Sequence, residues 1–414
     1  MPKNHFGELN KVHKWAAALF MGVLVVGAMI AVPLLFNGKT NAEDLKEVLP
    51  PPKAEEPVAL EIVCIGDIMV HESQIPSQYD EATGTYDYTN NFQYVKKYLE
   101  AADLAMGNFE GTFGGPPYRG YPAFSTPDEL ADAMKWAGID VAITANNHMT
   151  DKGHAGVIRT LEVLRAAGLT TSGSRLDTEE PAYSMTSVKG VNVAVVAYTY
   201  ETSGSGPEVT INGSSISQET AQLINSFSYN RLSADLERIG AVVSSAREAG
   251  ADLVVLYLHW GEEYQRAPNL WQEQIAEAAT EKMQVDMIFA SHPHVLQPME
   301  MIHSETTGRD VPVFYSMGNF ISNQREETLQ NRFTEQGVIA KVNLFYMVGT
   351  KEIVSIEMEA IPTWVDRYKR NGKTVYEVIP LDEEMDANPA LIESGHLQRA
   401  KNALEEINEL LQLN

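Results

Sequence analysis

The chain has 414 residues, 44% of them hydrophobic, a content that supports a packed core and excludes a disordered polymer. Its 56 acidic and 31 basic side chains leave a formal charge of -25, which argues against nucleic acid as a partner, because that binding depends on neutralising phosphates with Lys and Arg. A single cysteine, Cys64, excludes an intramolecular disulfide framework and Cys-rich zinc or iron-sulfur sites.

Residues 1–14 carry Lys3, Lys11 and Lys14 and read as a short cytoplasmic N-terminus. Residues 15–36 follow without a formal charge and are almost wholly apolar. As a helix this run would rise roughly 33 Å, close to the hydrocarbon thickness of a bilayer. The expectation is one N-terminal transmembrane helix, a single-pass protein of the cell membrane, and an extracellular C-terminal domain. A cleaved signal peptide, with Thr40-Asn41-Ala42 as a weak cleavage site, is the alternative, and it too exports the remainder. Residues 37–57, including Pro50-Pro51-Pro52, read as a polar, proline-stiffened linker.

From 58 to 385 the pattern is strand, loop and helix, repeated. Apolar runs at 59–65 and 104–106 read as strands. Thr126-Pro127-Asp128-Glu129 then has the capping chemistry of a helix start, and Gly138 stops the helix that runs toward Trp136. Strands are expected at 140–145, 191–198, 252–258 and 286–290, with helices at about 154–167, 230–249 and 270–283. This alternation indicates a layered α/β architecture. Residues 201–219, rich in Gly, Ser and Thr, read as a long loop that either covers a site or crosses the surface. The last third turns to strands, at 311–315, 337–346, 351–360 and 374–379. Residues 386–414 end in a charged amphipathic helix, 398–411.

Six clusters of polar residues interrupt this pattern, most of them where an apolar run ends. They are Gly66-Asp67-Ile68-Met69-Val70-His71, Gly107-Asn108-Phe109-Glu110, Asn146-Asn147-His148-Met149-Thr150-Asp151, His259-Trp260-Gly261-Glu262-Glu263-Tyr264, Ser291-His292-Pro293-His294 and Gly318-Asn319-Phe320. Five of the ten histidines fall in them. Imidazole nitrogen suits Zn, Fe, Ni and Mn, and the carboxylates of Asp67 and Glu110 would add oxygen ligands. Two such ions, roughly 3.5–4 Å apart, can activate water and hold an oxyanion together.

His259 reads as a ligand, and Asn147 offers a carbonyl oxygen. In an extended segment His292 and His294 would point the same way. His148 is a candidate proton donor, and Asp151 would either orient its ring or cap the helix that follows. His71 reads as a ligand or a substrate contact. Glu263 and Tyr264 read as substrate contacts or as solvated surface, and Asn319 as a rim residue touching substrate.

In this order the six clusters resemble the CapA family of poly-gamma-glutamate capsule synthesis proteins, within the calcineurin-like metallophosphoesterase superfamily. The resemblance runs from about 59 to 325. It implies a four-layer α-β-β-α sandwich of metallophosphoesterase type, with two divalent ions at the sheet edge. Asp67 matches the Asp of the family's opening Asp-x-His, with Met69 in the His position, so that the first ion would either use His71 or be more weakly ligated. Glu110 takes the place of the bridging carboxylate. Asn146-Asn147-His148 matches Gly-Asn-His, with the acid displaced to Asp151. His259 matches a later single His, and Ser291 to His294 matches Gly-His-x-His. The implied metal set is Asp67, His71, Glu110, Asn147, His259, His292 and His294, with Mn, Zn and Fe not distinguished.

The resemblance implies a part in poly-gamma-glutamate biosynthesis, release or export, with this anionic polymer, the cell membrane and the subunits of a membrane synthase complex as partners. A metal-dependent hydrolase acting on a phosphoryl or γ-glutamyl bond leads. A non-catalytic polymer-binding subunit and a general extracytoplasmic phosphoesterase stay open beside it.

Overall fold

The computed structural model describes residues 56–203 and 208–413. Fifteen strands build its two main sheets. They are β1 (Val58–Ile68), β2 (Leu104–Phe109), β3 (Val141–Ile143), β4 (Thr170–Ser172), β5 (Ser184–Val188), β6 (Val191–Tyr200), β7 (Ser226–Phe227), β8 (Leu253–His259), β9 (Met287–Ser291), β10 (Met299–His303), β11 (Asp310–Phe314), β12 (Asn319–Ile321), β13 (Gln336–Met347), β14 (Glu352–Arg370) and β15 (Lys373–Pro380). The first sheet runs β15-β14-β13-β1-β2-β3-β4, with β12 beside the end of β1. The second runs β7-β6-β8-β9-β11-β10, with β5 against β6.

The central strands are apolar on both faces, which requires cover on both sides. On β1, Leu60, Ile62 and Cys64 meet Val193, Val195 and Val255 of the second sheet. The alternate residues Val63 and Ile65 face the other way, toward Leu130 and Met134 of α1 (Glu129–Trp136) and Leu164 of α2 (Gly153–Ala166). On the second sheet Val196, Val254 and Ile288 pack on Ile239 and Val243 of α3 (Leu232–Glu248) and on Ile275 of α4 (Leu270–Ala278). Helix, sheet, sheet and helix thus form four layers, and the period of two along each strand assigns each side chain to its core.

The final strands extend the first sheet by antiparallel pairing. The strand expected to stop at Ala360 continues to Arg370, because Pro362, opposite Val338, is accommodated in the ladder rather than ending it. Helix α5 (Leu397–Leu411) buries Ala400, Ala403 and Ile407 in the same core as Trp364 and Tyr368 of β14. The described part of the 201–219 loop carries a short hairpin, Thr210–Ile211 with Ser214–Ser215, whose Ile211 packs on Met149 and Val157.

One expectation is corrected. Among the described residues no helix is long and apolar enough to cross a membrane. The run 15–36 itself lies outside the described residues, as does most of the linker. The transmembrane helix, the single-pass topology and the cell-membrane localisation built on it are therefore not supported.

Candidate metal centre

The candidate residues meet because parallel strands of both sheets end on the same side. Asp67 lies at the end of β1, Glu110 just after β2, Asn147 and His148 in the loop after β3, His259 at the end of β8, and His292 just after β9. In register, Asp67 stands opposite Asn108, and His259 opposite Ser291. Carboxyl ends of strands in open α/β sheets are the usual place for a ligand.

Glycine allows the closest approach. A Cβ on Gly66 would lie 2.0 Å from the carbonyl oxygen of Gly318, so only glycine lets β12 reach β1 there. The backbone N–H of Asp67 donates to that same oxygen at 3.0 Å.

Asp67 is fully buried and held as a carboxylate. Its Oδ1 accepts from Asn108 Nδ2 at 2.8 Å and from Ser291 Oγ, and its Oδ2 lies 3.1 Å from His294 Nδ1. Burial opposes its ionisation, but the hydrogen bond and charge of His294, with His259 and Ser291, outweigh burial and hold its pKa well below the usual carboxylate range.

Glu110 is the opposite case. Both of its carboxylate oxygens are buried without a hydrogen-bond partner, and Oε1 lies 3.8 Å from His259 Nε2 and 3.7 Å from His294 Nε2. Burial, reinforced by the charge of Asp67, pushes its pKa well up. Two orphaned oxygens on one buried carboxylate call for cations in place of hydrogen-bond donors.

Two groups of ligand atoms meet that need: Asp67, Glu110 and His259, and Glu110, His292 and His294, with all atoms of each group within 4.8 Å of one another. Glu110 belongs to both. The donors are imidazole and carboxylate, a set suited to two divalent ions. Nδ1 of His259 and Nδ1 of His292 are likewise buried without partners. Burial lowers the pKa of His259 to about 3 and that of His292 well below its ordinary value, so both rings are neutral, the state a ligand needs.

The Ser291–His294 segment is not extended as expected. His292 has φ +105° and His294 φ +57°, a region that residues with side chains rarely adopt. Both rings still face Glu110 because the backbone turns, not because it alternates. Asn319 sustains this turn: its Nδ2 donates to the carbonyls of His294 (3.3 Å) and Thr334 (2.9 Å), and its Oδ1 lies 3.2 Å from His294 Nδ1. Its amide is therefore engaged behind the ring.

Asn147 Oδ1 lies 3.0 Å from His259 Nε2, beside the first group. His148 Nδ1 lies 2.9 Å from Asp151 Oδ2, which also accepts from the Phe124 N–H at 2.7 Å. Asp151 is thus turned to the ring, and α2 begins after Lys152 with no side-chain cap. His71 stands outside both groups, its Nδ1 3.2 Å from the Asn323 N–H, and burial lowers its pKa to about 4. Glu263 and Tyr264 border the cavity of about 350 Å3 above the centre, with Met69, His71 and His148. Tyr264 N–H donates to the Pro293 carbonyl at 2.7 Å, tying that rim to the histidine turn.

Sequence reading gave no role to three supporting side chains, Tyr257, Asn146 and Tyr200. Tyr257 hydrogen-bonds Ser291 Oγ, which continues to Asp67. Asn146 Nδ2 donates to Asn108 Oδ1 at 3.2 Å. Tyr200, the last residue of β6, packs its ring on His292 at 4.7 Å between centroids. Tyr257 lies two residues before His259 on the same face of β8, a signal that alternation carried. Tyr200 has no such local signal, since its partner is 92 positions away in sequence.

The bacterial capsule synthesis protein PGA_cap family matches residues 61–324. The chain belongs to this family. The match takes in all six clusters, in agreement with the resemblance drawn from the sequence. The chain is 31% identical over 292 residues to capsule biosynthesis protein CapA of Bacillus anthracis, covering 67% of this chain and 63% of that protein. It is 28% identical over 327 residues to PGA biosynthesis protein CapA of Bacillus subtilis strain 168, covering 77% of each. It thus spans 63% of the length of the anthracis relative and 77% of the subtilis one. Among solved structures it is similar to a novel phosphatase from Mycoplasma pneumoniae, at 13% identity and TM-score 0.41 over 74% of this chain and 94% of that one. It is also similar to calcineurin-like phosphoesterase YfkN from Bacillus subtilis, at 12% identity and TM-score 0.37 over 83% of this chain and 99% of that one.

Proposed function

We propose that this chain is a metal-dependent hydrolase of poly-gamma-glutamate capsule synthesis, acting on a phosphoryl or γ-glutamyl bond. The observation that carries the reading is Glu110, a buried carboxylate with both oxygens unpartnered and shared by two ligand groups. The relatives' names, capsule and PGA biosynthesis, support that polymer as the substrate class.

Asp67, Glu110 and His259 would hold one divalent ion, with Asn147 beside them, and Glu110, His292 and His294 the other. Bound ions would supply Lewis acidity and a water reactive at neutral pH. The rest falls to the chain itself. Asp67 holds the Nδ1 proton of His294 and leaves Nε2 toward Glu110. Asp151 orients His148, which borders the cavity and would pass a proton to the leaving group. Phe124, edge-on to His148 at 4.7 Å between centroids, limits the ring's rotation and the access of water.

The test uses the full chain loaded with Mn or Zn, assayed on an aryl phosphoester and on poly-gamma-glutamate. Turnover that Glu110→Gln and His292→Ala abolish without unfolding would support the reading. Polymer binding without turnover of either substrate would replace it with a non-catalytic binding subunit.

A further inference from the structure

The cavity above the candidate metal residues does not close at His71. A second cleft, lined by Ser73, Pro76 and Tyr118, shares His71, Tyr121 and Asn323 with it. His71 therefore stands where a bound chain would leave the metal centre.

The protonation of its ring follows from one hydrogen bond. The backbone N–H of Asn323 donates to His71 Nδ1 at 3.2 Å. A neutral imidazole has one donor and one acceptor nitrogen, so an accepting Nδ1 leaves the proton on Nε2. A protonated Nε2 has no free lone pair for a metal ion. The ring lines the cavity.

The donor to Nδ1 is firmly placed. Asn323 Oδ1 accepts from Tyr376 Oη at 3.0 Å and from Arg367 at 3.3 Å, and Tyr376 Oη lies 2.9 Å from Ser73 Oγ. Strands β14 and β15 thus pin the Asn323 loop, and Ser73 closes the network two residues beyond His71. Phe124 meets the ring edge-on at 5.6 Å between centroids, as it also meets His148. Two imidazoles share one aromatic wall, and each has its Nδ1 engaged.

We propose that His71 is a substrate-binding residue that donates a hydrogen bond from Nε2 to an oxygen of the bound chain, and that the Asn323 backbone amide holds it in that tautomer. The substrate class is an oxygen-rich chain, phosphoryl or amide, entering along the shared cleft. Its effect on turnover rests on the hydrolase reading; the tautomer and the metal content do not.

Three measurements on the full-length zinc-loaded chain decide the matter. Elemental analysis of His71→Ala should show the wild-type zinc content, whereas His294→Ala should lose zinc. Nitrogen-detected NMR, with the His71 ring assigned by its loss in His71→Gln, should show the Nε2–H tautomer. kcat/KM should fall roughly 10–100-fold in His71→Ala, and His71→Gln, whose amide keeps a donor, should recover most of it. Loss of zinc from a folded His71→Ala, or an Nδ1–H tautomer, overturns the proposal. So does wild-type kcat/KM in His71→Ala. If the wild-type chain turns over nothing, the hydrolase reading falls, and the tautomer and zinc content still decide whether His71 is a ligand or a donor.

Discussion

Nε2 of His294 lies 3.7 Å from Oε1 of Glu110, while Nδ1 of the same ring lies 3.1 Å from Oδ2 of Asp67. One imidazole thus stands between a carboxylate held ionised and a carboxylate pushed toward protonation. The pair divides the labour of a metal site: Asp67 fixes the ring, and Glu110 waits for charge.

Glu110 contributes one limb of the pH dependence of the metal-free protein's stability. Its folded pKa is raised, so the folded state binds the proton more tightly and stability is lost as pH rises above the ordinary carboxylate range. The slope approaches about 1.4 kcal/mol per pH unit for one such group. Glu110→Gln should remove that slope, and chelator-treated wild type should be less stable than the variant at neutral pH. Denaturant titrations of both across pH 5–8 check this.

The histidines work in the other direction. His71 and His259 have pKa values lowered to about 4 and about 3, below their unfolded value. Their contribution is complete above about pH 6.5 and is lost as pH falls toward 4. Thermal melts of the metal-free protein should therefore drop steeply between pH 6.5 and 4, and the drop should be shallower in His259→Gln.

On the hydrolase reading proposed above, Asp151 acts through His148, whose Nδ1 it meets at 2.9 Å. Asp151→Asn should lower kcat by roughly 10–100-fold, the usual cost of losing a carboxylate behind a working imidazole, with metal content unchanged. A fall in metal content measured with the kinetics would refute this division of roles.

Behind the centre, Glu335 neutralises Arg325, which is 1% exposed, through a contact of 2.9 Å, and joins it to Arg399 of α5 at 2.9 Å. Glu335→Ala leaves the buried guanidinium with Glu327, 3.6 Å away, as its remaining carboxylate neighbour and should cost about 3–5 kcal/mol. Chemical denaturation of the metal-loaded chain measures it. Glu335→Gln should cost less, since it keeps an acceptor for the Trp364 Nε1–H that now bonds Glu335 at 3.2 Å.

Much of the site was legible before the fold. Asp67, Glu110, His259, His292 and His294 each follow or end an apolar run, and strand ends are where such residues converge. For Asp151 the sequence offers two roles, orienting His148 or capping the next helix, and the contact of 2.9 Å with His148 Nδ1 and the uncapped helix start are tertiary facts. Other features were out of reach. The strand at 351–360 is legible, but its continuation past Pro362 depends on the neighbouring strands that pair with it. His71, four residues from Asp67, reads from the sequence as a ligand or a substrate contact alike; its partner, the Asn323 amide, is 252 positions away.

By itself the sequence determined the α/β layering, through the period of its apolar residues, and the side-chain types, imidazole and carboxylate, offered at the strand ends. Both are local properties, written in spacing and side-chain type. Only the tertiary structure decided that Glu110 belongs to two ligand groups, that His292 and His294 reach it through a left-handed turn, and that His71 lines the cavity with its Nδ1 against the Asn323 amide. Those outcomes depend on distances between strand ends from two different sheets, and such distances arise only when the sheets pack.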